Sequence, residues 1–152
     1  MEAEMMDLLE KCPLFVGFHE GQLESLFKMV QIKEYESGET IVEEGAPGDS
    51  MFVLMDGTVD VEKSTPEGTP LVLTTLDDRG VFFGEMAIVD VRSRSATVRA
   101  KERTRLISVT KDTLYTLFDE YPELMILVPS NIAKVLAERL RSVDETMSIL
   151  AG

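Results

Sequence analysis

The chain has 152 residues, of which 44% are hydrophobic and 28% charged, the proportions of one ordinary globular domain with a real core. Its 28 acidic and 15 basic side chains give a formal net charge of −13, which argues against nucleic-acid binding because DNA phosphates would repel it. One histidine and one cysteine are too few ligands for a transition-metal enzyme, and the lone cysteine has no partner for an intrachain disulfide.

Two features of the sequence indicate the subcellular location of the protein. No apolar run approaches the ~18 residues that a transmembrane helix needs. The N-terminus, MEAEMMDLLEK, is acidic where a signal peptide begins with basic residues. Together with the single cysteine, these features predict a cytoplasmic protein with no membrane contact.

Residues 1–31 are predicted to form N-terminal helices, because apolar side chains recur there at helical spacing. The positions are Met6, Leu8, Leu9, Leu14, Leu23, Leu26, Phe27 and Val30. Cys12 stands among apolar neighbours and is predicted to be a packing residue rather than a reactive thiol. His19 precedes the amphipathic run and is predicted to be a helix-entry residue.

Residues 32–111 are predicted to form many short strands. The β-rich pieces are ETIVEEG, DSMFVLMDG, TVDVEKS, TPLVLTTLDDRG, SATVRAKER and TRLISVT. Turn glycines separate them, at Gly38, Gly45, Gly48, Gly57, Gly68, Gly80 and Gly84. This rhythm of short antiparallel strands is typical of a sandwich, a barrel or a jelly roll.

Residues 112–152 are predicted to return to helix. Asp112 or Thr110 can cap the first C-terminal helix, and Pro122 suits the first turn of the next. Pro129 lies inside this second helical pattern and is expected to bend or restart it.

An apolar seam follows the last helix at nearly heptad spacing. Its members are Ile132, Leu136, Leu140, Val143, Met147 and Leu150. One interpretation is a helix lying on its own β domain, and the other is a homodimer contact with a second copy. We favour the dimer slightly, and both interpretations stay open.

The stretch FGEMAIVDVRSRSATVRA contains the parts of an anion site. Gly84 allows a close turn, after which the amides of Met86 and Ala87 are expected to be free donors. The planar guanidinium of Arg94 can donate two parallel hydrogen bonds to the same anion. Glu85 would repel a phosphate but suits the hydroxyls of a sugar. The alternative is a β-turn with a surface salt bridge between Glu85 and an arginine.

This stretch closely resembles the phosphate-binding cassette of the cyclic nucleotide-binding domain family, roughly FGE, an apolar run, then R-[S/T/A]-A-T/S-V. IVEEGAPGDSMFVLMDGTVDVEK also resembles the family's first strands, and LLEKCPLF its N-terminal helix. The resemblance covers about residues 8–145. It implies a mainly β protein of one domain (1–152), a double-sheet jelly roll or β-roll, with N-terminal helices and C-terminal helices that act as a lid or in a dimer.

The resemblance also implies a ligand and its contacts. Arg94, the amides of Met86 and Ala87, and the hydroxyl of Ser95 would bind the cyclic phosphate. Glu85 would take the ribose 2′-hydroxyl, and Gly84 would keep the approach open.

Three further positions are assigned by the same resemblance or by their place in the sequence. Val61 matches an apolar wall position near the base, although a core role explains it equally well. Arg92 is expected to face solvent. Arg99 is expected to be an exposed strand residue or an ion-pair partner.

The choice between cAMP and cGMP stays open, with a slight lean to cAMP as the commoner ligand. Ser95 is associated with cGMP acceptance in some members, but cAMP-binding regulators also carry a serine there. Val143 and Asp144 stand where cAMP-responsive regulators have a Thr-Ser pair. Asp144 could accept hydrogen bonds from guanine, or it is simply an exposed residue.

The expected function is that of a non-catalytic regulatory module in signal transduction, without a cofactor, that acts through a population shift and an unknown downstream protein. Either the chain is a stand-alone sensor, or it is a domain of a longer protein. One alternative is a degenerate member that binds another ligand or none, and another is a pure interaction protein. A cupin-type enzyme is disfavoured, because such enzymes bind metal through clustered histidines and this chain has one histidine, His19.

Overall fold

The computed structural model describes residues 2–89 and 93–151, and the side chains of these residues except 146 and 148–151. The N-terminal helices are α1 (Glu2–Lys11), a 3-10 turn (Pro13–Phe15) and α2 (Glu20–Met29). The strands are β1 (Gln31–Tyr35), β2 (Thr40–Val42), β3 (Ser50–Asp56), β4 (Val59–Lys63), β5 (Leu71–Leu76), β6 (Phe82–Phe83), β7 (Thr97–Ala100) and β8 (Thr104–Thr110). The short helix α3 (Met86–Val89) follows β6, and α4 (Lys111–Glu120) and α5 (Leu124–Ala151) follow β8.

The strands form two four-stranded antiparallel sheets. The first has the order β1-β8-β3-β6 and the second the order β2-β7-β4-β5. Each of the six predicted β-rich pieces contains one strand. Two such sheets with helices on either side confirm the predicted jelly-roll architecture.

Strand β3 shows how the domain divides its core. Met51, Val53 and Met55 point to the helices and join the larger apolar cluster. Phe52 and Leu54 alternate with them and join a smaller cluster between the sheets. The first sheet is therefore covered by helices on one face and by the second sheet on the other, which makes it the centre of the domain.

The predicted helix starts are set by side-chain caps. His19 accepts a hydrogen bond from the Gln22 amide at 3.3 Å, and the Gln22 side chain accepts one from the His19 amide at 3.0 Å. His19 is thus the helix-entry residue that was predicted. At α4, the cap is Thr110, which accepts from the Thr113 amide at 3.1 Å.

Helix α5 departs from the prediction at both prolines. Pro122 lies in the turn before the helix, which begins at Leu124. The helix also continues through Pro129, so of the two predicted outcomes the restart is wrong and the bend stays a prediction. Val128 and Ile132 on either side of the proline are buried in the core, and this packing holds the helix together although one backbone donor is missing.

Cys12 confirms the prediction of a packing residue. It is buried in the larger apolar cluster. Burial raises the pKa of its thiol to about 12. None of the helices that the structure describes combines the length and the apolar character needed to cross a membrane.

Candidate functional site

A cavity of about 820 Å³ opens between the second sheet, the β6–α3 turn and helix α5. All six residues predicted for the site line it: Gly84, Glu85, Met86, Ala87, Arg94 and Ser95. Its apolar wall includes Val42, Val61, Leu76, Val81, Val98 and Leu136. The cavity therefore combines charged side chains with a largely apolar lining, as a ligand with an ionic group and an apolar group would need.

Arg94 supplies a cation to the lining of the cavity. Its guanidinium donates to the carbonyl oxygen of Ser50 at 2.7 Å and to that of Gly84 at 3.4 Å. Burial lowers the pKa of Arg94, and the charge of Asp49 partly offsets this, but an arginine keeps its proton. Within the described part of the chain it forms no ion pair with a carboxylate. Its charge is thus positioned by neutral carbonyls and can pair with an anion.

Two glycines leave the room that this guanidinium occupies. A Cβ atom on Gly84, whose φ is +80°, would lie 2.8 Å from Arg94 Nη1 and 3.1 Å from the Ser50 oxygen. A Cβ atom on Gly48 would lie 2.3 Å from Arg94 Nε. Sequence reasoning identified Gly48 only as a turn residue, because its contact with Arg94 comes from another segment.

The backbone of the turn after Gly84 differs from the expectation. The Ala87 amide donates to the Gly84 carbonyl at 3.1 Å, so the expectation of a free donor at Ala87 is wrong. The turn itself closes this bond as α3 begins. The Met86 amide has no hydrogen-bond partner among the residues that the structure describes.

Glu85 is a buried carboxylate, with 4% of its surface exposed. It forms an ion pair with Arg139 of α5, whose guanidinium also lies 5.3 Å from the centre of the Phe82 ring. The alternative of a surface salt bridge at Glu85 is therefore replaced by a buried carboxylate paired with a distant arginine. Sequence reasoning missed Arg139, because nothing distinguishes it from the other charged residues of a helix.

Val61 and Thr74 lie side by side in the sheet that lines the cavity. They are register partners on β4 and β5, and both line the cavity. Val61 also packs against the apolar cluster between the sheets, so the predicted wall and core roles coexist. Thr74 is a cavity residue that sequence reasoning missed, since the alternation of LVLTTL is irregular.

The remaining candidates divide clearly. Arg99 pairs with Glu62 at 3.4 Å and does not line the cavity, which confirms its role as an ion-pair partner. Arg92 lies outside the described residues. Val143 and Asp144 are exposed and do not line the cavity, to which α5 contributes Leu136 and Arg139.

The first part of the apolar seam of α5 packs on its own domain, and the dimer interpretation of the rest stays a prediction. Ile132 is buried in the domain's own core and Leu136 lines the cavity. Leu140, Val143 and Met147 are 62%, 56% and 62% exposed. The side chain of Leu150 lies outside the described residues. The first part of the seam thus packs on its own domain. The later part, Leu140, Val143 and Met147, is an exposed apolar stripe.

Comparisons with known proteins agree with this architecture. The family model "Cyclic nucleotide-binding domain" matches residues 32–121. The chain is 27% identical over 146 residues to a CRP-like cAMP-activated global transcriptional regulator of Mycobacterium tuberculosis, covering 96% of this chain and 63% of that protein. It is 30% identical over 139 residues to the cyclic AMP receptor protein of Thermus thermophilus, covering 91% and 62%.

A solved structure is similar over most of the fold. A cyclic nucleotide-binding domain from Methylobacillus flagellatus has a TM-score of 0.78 at 26% identity, covering 93% of this chain and 79% of that one. The chain spans less than two thirds of the length of the two curated relatives named above.

Proposed function

Since the chain belongs to the cyclic nucleotide-binding domain family, we propose that its cavity binds a cyclic mononucleotide and that the domain is a non-catalytic sensor. The observation that carries the proposal is the state of Arg94 in the lining of a largely apolar cavity. This cation is half buried and is not paired with any carboxylate among the described residues. Such a charge is stabilised by an anion that fits beside it. We lean to cAMP over cGMP because the two curated relatives are named for it.

In this proposal the cyclic phosphate lies against Arg94. The Met86 amide and the Ser95 hydroxyl complete its contacts, since both residues line the same cavity. The Ala87 amide takes part by exchanging the Gly84 carbonyl for a phosphate oxygen. Gly84 and Gly48 keep Arg94 close to the turn, because any side chain at either position would displace the guanidinium.

The ribose and the base occupy the rest of the cavity. Glu85 accepts the ribose 2′-hydroxyl with one carboxylate oxygen while the other stays paired with Arg139. The base lies along the apolar wall at Val61, with the Thr74 hydroxyl within the same cavity. The ligand is thus connected through Glu85 and Arg139 to helix α5.

The sensor role follows from this connection. A ligand that forms a hydrogen bond with the Glu85 carboxylate alters the ion pair between Glu85 and Arg139. This shifts the equilibrium between positions of α5. The uncovered stripe of Leu140, Val143 and Met147 is the surface that would respond. We propose that a second copy of the chain packs on this stripe through its own α5. A downstream protein then binds according to the position of α5.

Calorimetry tests the proposal. The purified protein is titrated with cAMP, with cGMP and with adenosine, which has a base and a ribose but no phosphate. Saturable binding of a cyclic nucleotide, with adenosine far weaker, supports the proposal and identifies the base. No heat of binding with either cyclic nucleotide overturns it, and the Glu85–Arg139 pair is then structural.

A further inference from the structure

Arg94 and Ser95 belong to a segment that lies outside the helices and strands. This segment, residues 93–96, precedes β7, and all four of its residues line the cavity. Because no helix or sheet ladder uses its backbone groups, its conformation depends on contacts with neighbouring loops. Those contacts decide where the guanidinium and the hydroxyl that are proposed to bind the phosphate lie.

The loop between β2 and β3 holds both ends of this segment. The Arg94 amide donates to the Ala46 carbonyl oxygen at 2.8 Å, and the Gly45 amide donates to the Arg94 carbonyl oxygen at 2.8 Å. Further along, the Glu44 amide donates to the hydroxyl oxygen of Thr97, the first residue of β7, at 2.9 Å. Three consecutive residues of one loop thus fix the backbone on either side of Ser95.

The middle of the segment is held from β4 by a lysine. Lys63 is the last residue of β4, and its ammonium group donates to the carbonyl oxygen of Ser95. Within the described residues, no other group donates to this carbonyl oxygen. Lys63 follows Val61 by two residues, so both side chains leave β4 on the face of the sheet that lines the cavity. Lys63 itself does not belong to the lining, and its described contact is with the backbone of Ser95.

Glu44 fixes the end of β4 next to this lysine. Its carboxylate accepts from the Ser64 amide and from the Ser64 hydroxyl, each at 3.0 Å. These hydrogen bonds and the nearby charge of Lys63 lower the pKa of Glu44, which therefore stays ionised near pH 7. Because its own amide donates to Thr97, Glu44 joins the end of β4 to the start of β7.

We infer that Lys63 is a positioning residue for the nucleotide. Its hydrogen bond to the Ser95 carbonyl sets where the Ser95 hydroxyl meets the phosphate, and Glu44 keeps the end of β4 in place for this contact. A residue has only two soft backbone dihedrals, so fixing its carbonyl oxygen restricts the direction of its side chain. The inference rests on the proposed function, since that proposal assigns the Ser95 hydroxyl to the phosphate.

Relaxation of ¹⁵N in the protein without nucleotide tests the restraint directly. In the native protein we expect order parameters of about 0.85 at the amides of Ser95 and Ala96, as in rigid backbone. Lys63→Met has a side chain of similar length without a donor, and the two order parameters should fall below about 0.6. Lys63→Arg keeps a donor and should restore the native values. Low values in the native protein, or unchanged values in Lys63→Met, overturn the inference.

Lys101→Met is the matched control for charge. It removes the same positive charge from an exposed position just after β7. We expect native order parameters at Ser95 and Ala96 and native affinity for cAMP. A control that behaves like Lys63→Met would attribute the effect to net charge and overturn the inference.

Calorimetry with cAMP connects the restraint to binding. We expect Lys63→Met to weaken binding by about 3- to 10-fold, the effect of losing one ordinary hydrogen bond, and Ser95→Ala to cost a similar factor. Lys63→Arg should bind within about twofold of the native protein. In the double variant the second change should add less than about twofold, because both changes remove the same contact. Losses that multiply would show that Lys63 acts on the phosphate through its charge, and the inference would fail.

The binding measurement separates this inference from the proposed function. If the native protein binds no cyclic nucleotide, both fail together. If it binds cAMP and Lys63→Met leaves the affinity unchanged, the proposed function stands and the inference alone fails.

Glu44→Gln tests the part assigned to Glu44. Glutamine keeps one acceptor oxygen but lacks the charge and the second acceptor. We expect order parameters at Ser95 and Ala96 between those of the native protein and those of Lys63→Met. Glu43→Gln, at the exposed neighbouring carboxylate, is the control and should leave them unchanged. Native values in Glu44→Gln would overturn the role of Glu44.

Discussion

The buried carboxylate of Glu85 is paired with the guanidinium of Arg139, which lies 54 residues later in the chain on α5. Glu85 belongs to the turn that lines the cavity, and Arg139 belongs to the helix that carries the exposed apolar stripe. One ion pair thus joins the proposed ribose contact to the proposed output surface.

Replacing Arg94 with alanine should abolish most nucleotide affinity. A desolvated phosphate left unpaired costs roughly 2–5 kcal/mol, or about 30- to 3,000-fold in affinity by calorimetry. Arg99→Ala is the matched control, because Arg99 pairs with Glu62 outside the cavity. A loss of less than threefold for Arg94→Ala would show that the phosphate lies elsewhere.

The proposed contact between Glu85 and the ribose is tested by changing both partners. For the native protein, 2′-deoxy-cAMP should bind about 10- to 150-fold more weakly than cAMP, since a hydrogen bond to a charged group contributes about 1.5–3 kcal/mol. In Glu85→Gln this ratio should shrink toward one. An unchanged ratio means that the 2′-hydroxyl does not contact Glu85, whatever the loss of overall affinity.

Gly48→Ala should weaken nucleotide binding by about tenfold or more although residue 48 makes no proposed contact with the ligand. The added Cβ atom would lie 2.3 Å from Arg94 Nε, so the guanidinium must move. An arginine misplaced by this contact loses much of its charge-assisted hydrogen bonding, where each bond contributes about 1.5–3 kcal/mol. Gly21→Ala in α2 is the control, and native affinity in both variants would contradict the prediction.

The exposed stripe of α5 should govern self-association. We expect the native protein to sediment as a dimer and Leu140→Glu to sediment as a monomer, because a charge buried in an apolar interface is strongly unfavourable. Ile126→Glu is the control, since Ile126 is 75% exposed on the first part of the same helix. A native monomer, or dissociation by both substitutions alike, would remove the proposed interface.

Cys12 should make the domain less stable in alkali. The ordinary pKa of the thiol is 9.0, and burial in the folded state raises this pKa to about 12. Between these pH values the unfolded chain releases a proton that the folded chain keeps. The free energy of unfolding should therefore fall as pH rises from 9 toward 12 by up to about 1.4 kcal/mol per unit.

Chemical denaturation at pH 8 and pH 10 measures this dependence on Cys12. Cys12→Ala is less stable at both values because it leaves a small cavity, but its loss between them should be smaller by about 1 kcal/mol. Parallel curves for the two proteins would show that the thiol does not titrate on unfolding.

The sequence predicted local features well where local forces produce them. Strands β3 and β4 follow from β-rich pieces bounded by glycine turns, and the helix start at His19 follows from its position before an amphipathic run. Gly84, Glu85 and Arg94 are separated by only ten residues, so their meeting at one turn could be anticipated. At Pro129 a bend or a restart was predicted, and the restart is wrong because a local pattern does not show that the residues beside the proline are buried.

By itself, the sequence determined the class of the fold and placed Gly84, Glu85 and Arg94 within one short stretch, because periodicity, turn chemistry and a compact motif are all encoded locally. Only the tertiary structure decided that Arg139 pairs with Glu85, that Gly48 makes room for Arg94, and that Asn131 fastens α5 to the N-terminal helices. These partners are 46 to 117 residues apart, or meet across separate loops, and their contacts depend on how helices and sheets pack. Such packing is set by the whole core, which no single stretch of sequence contains.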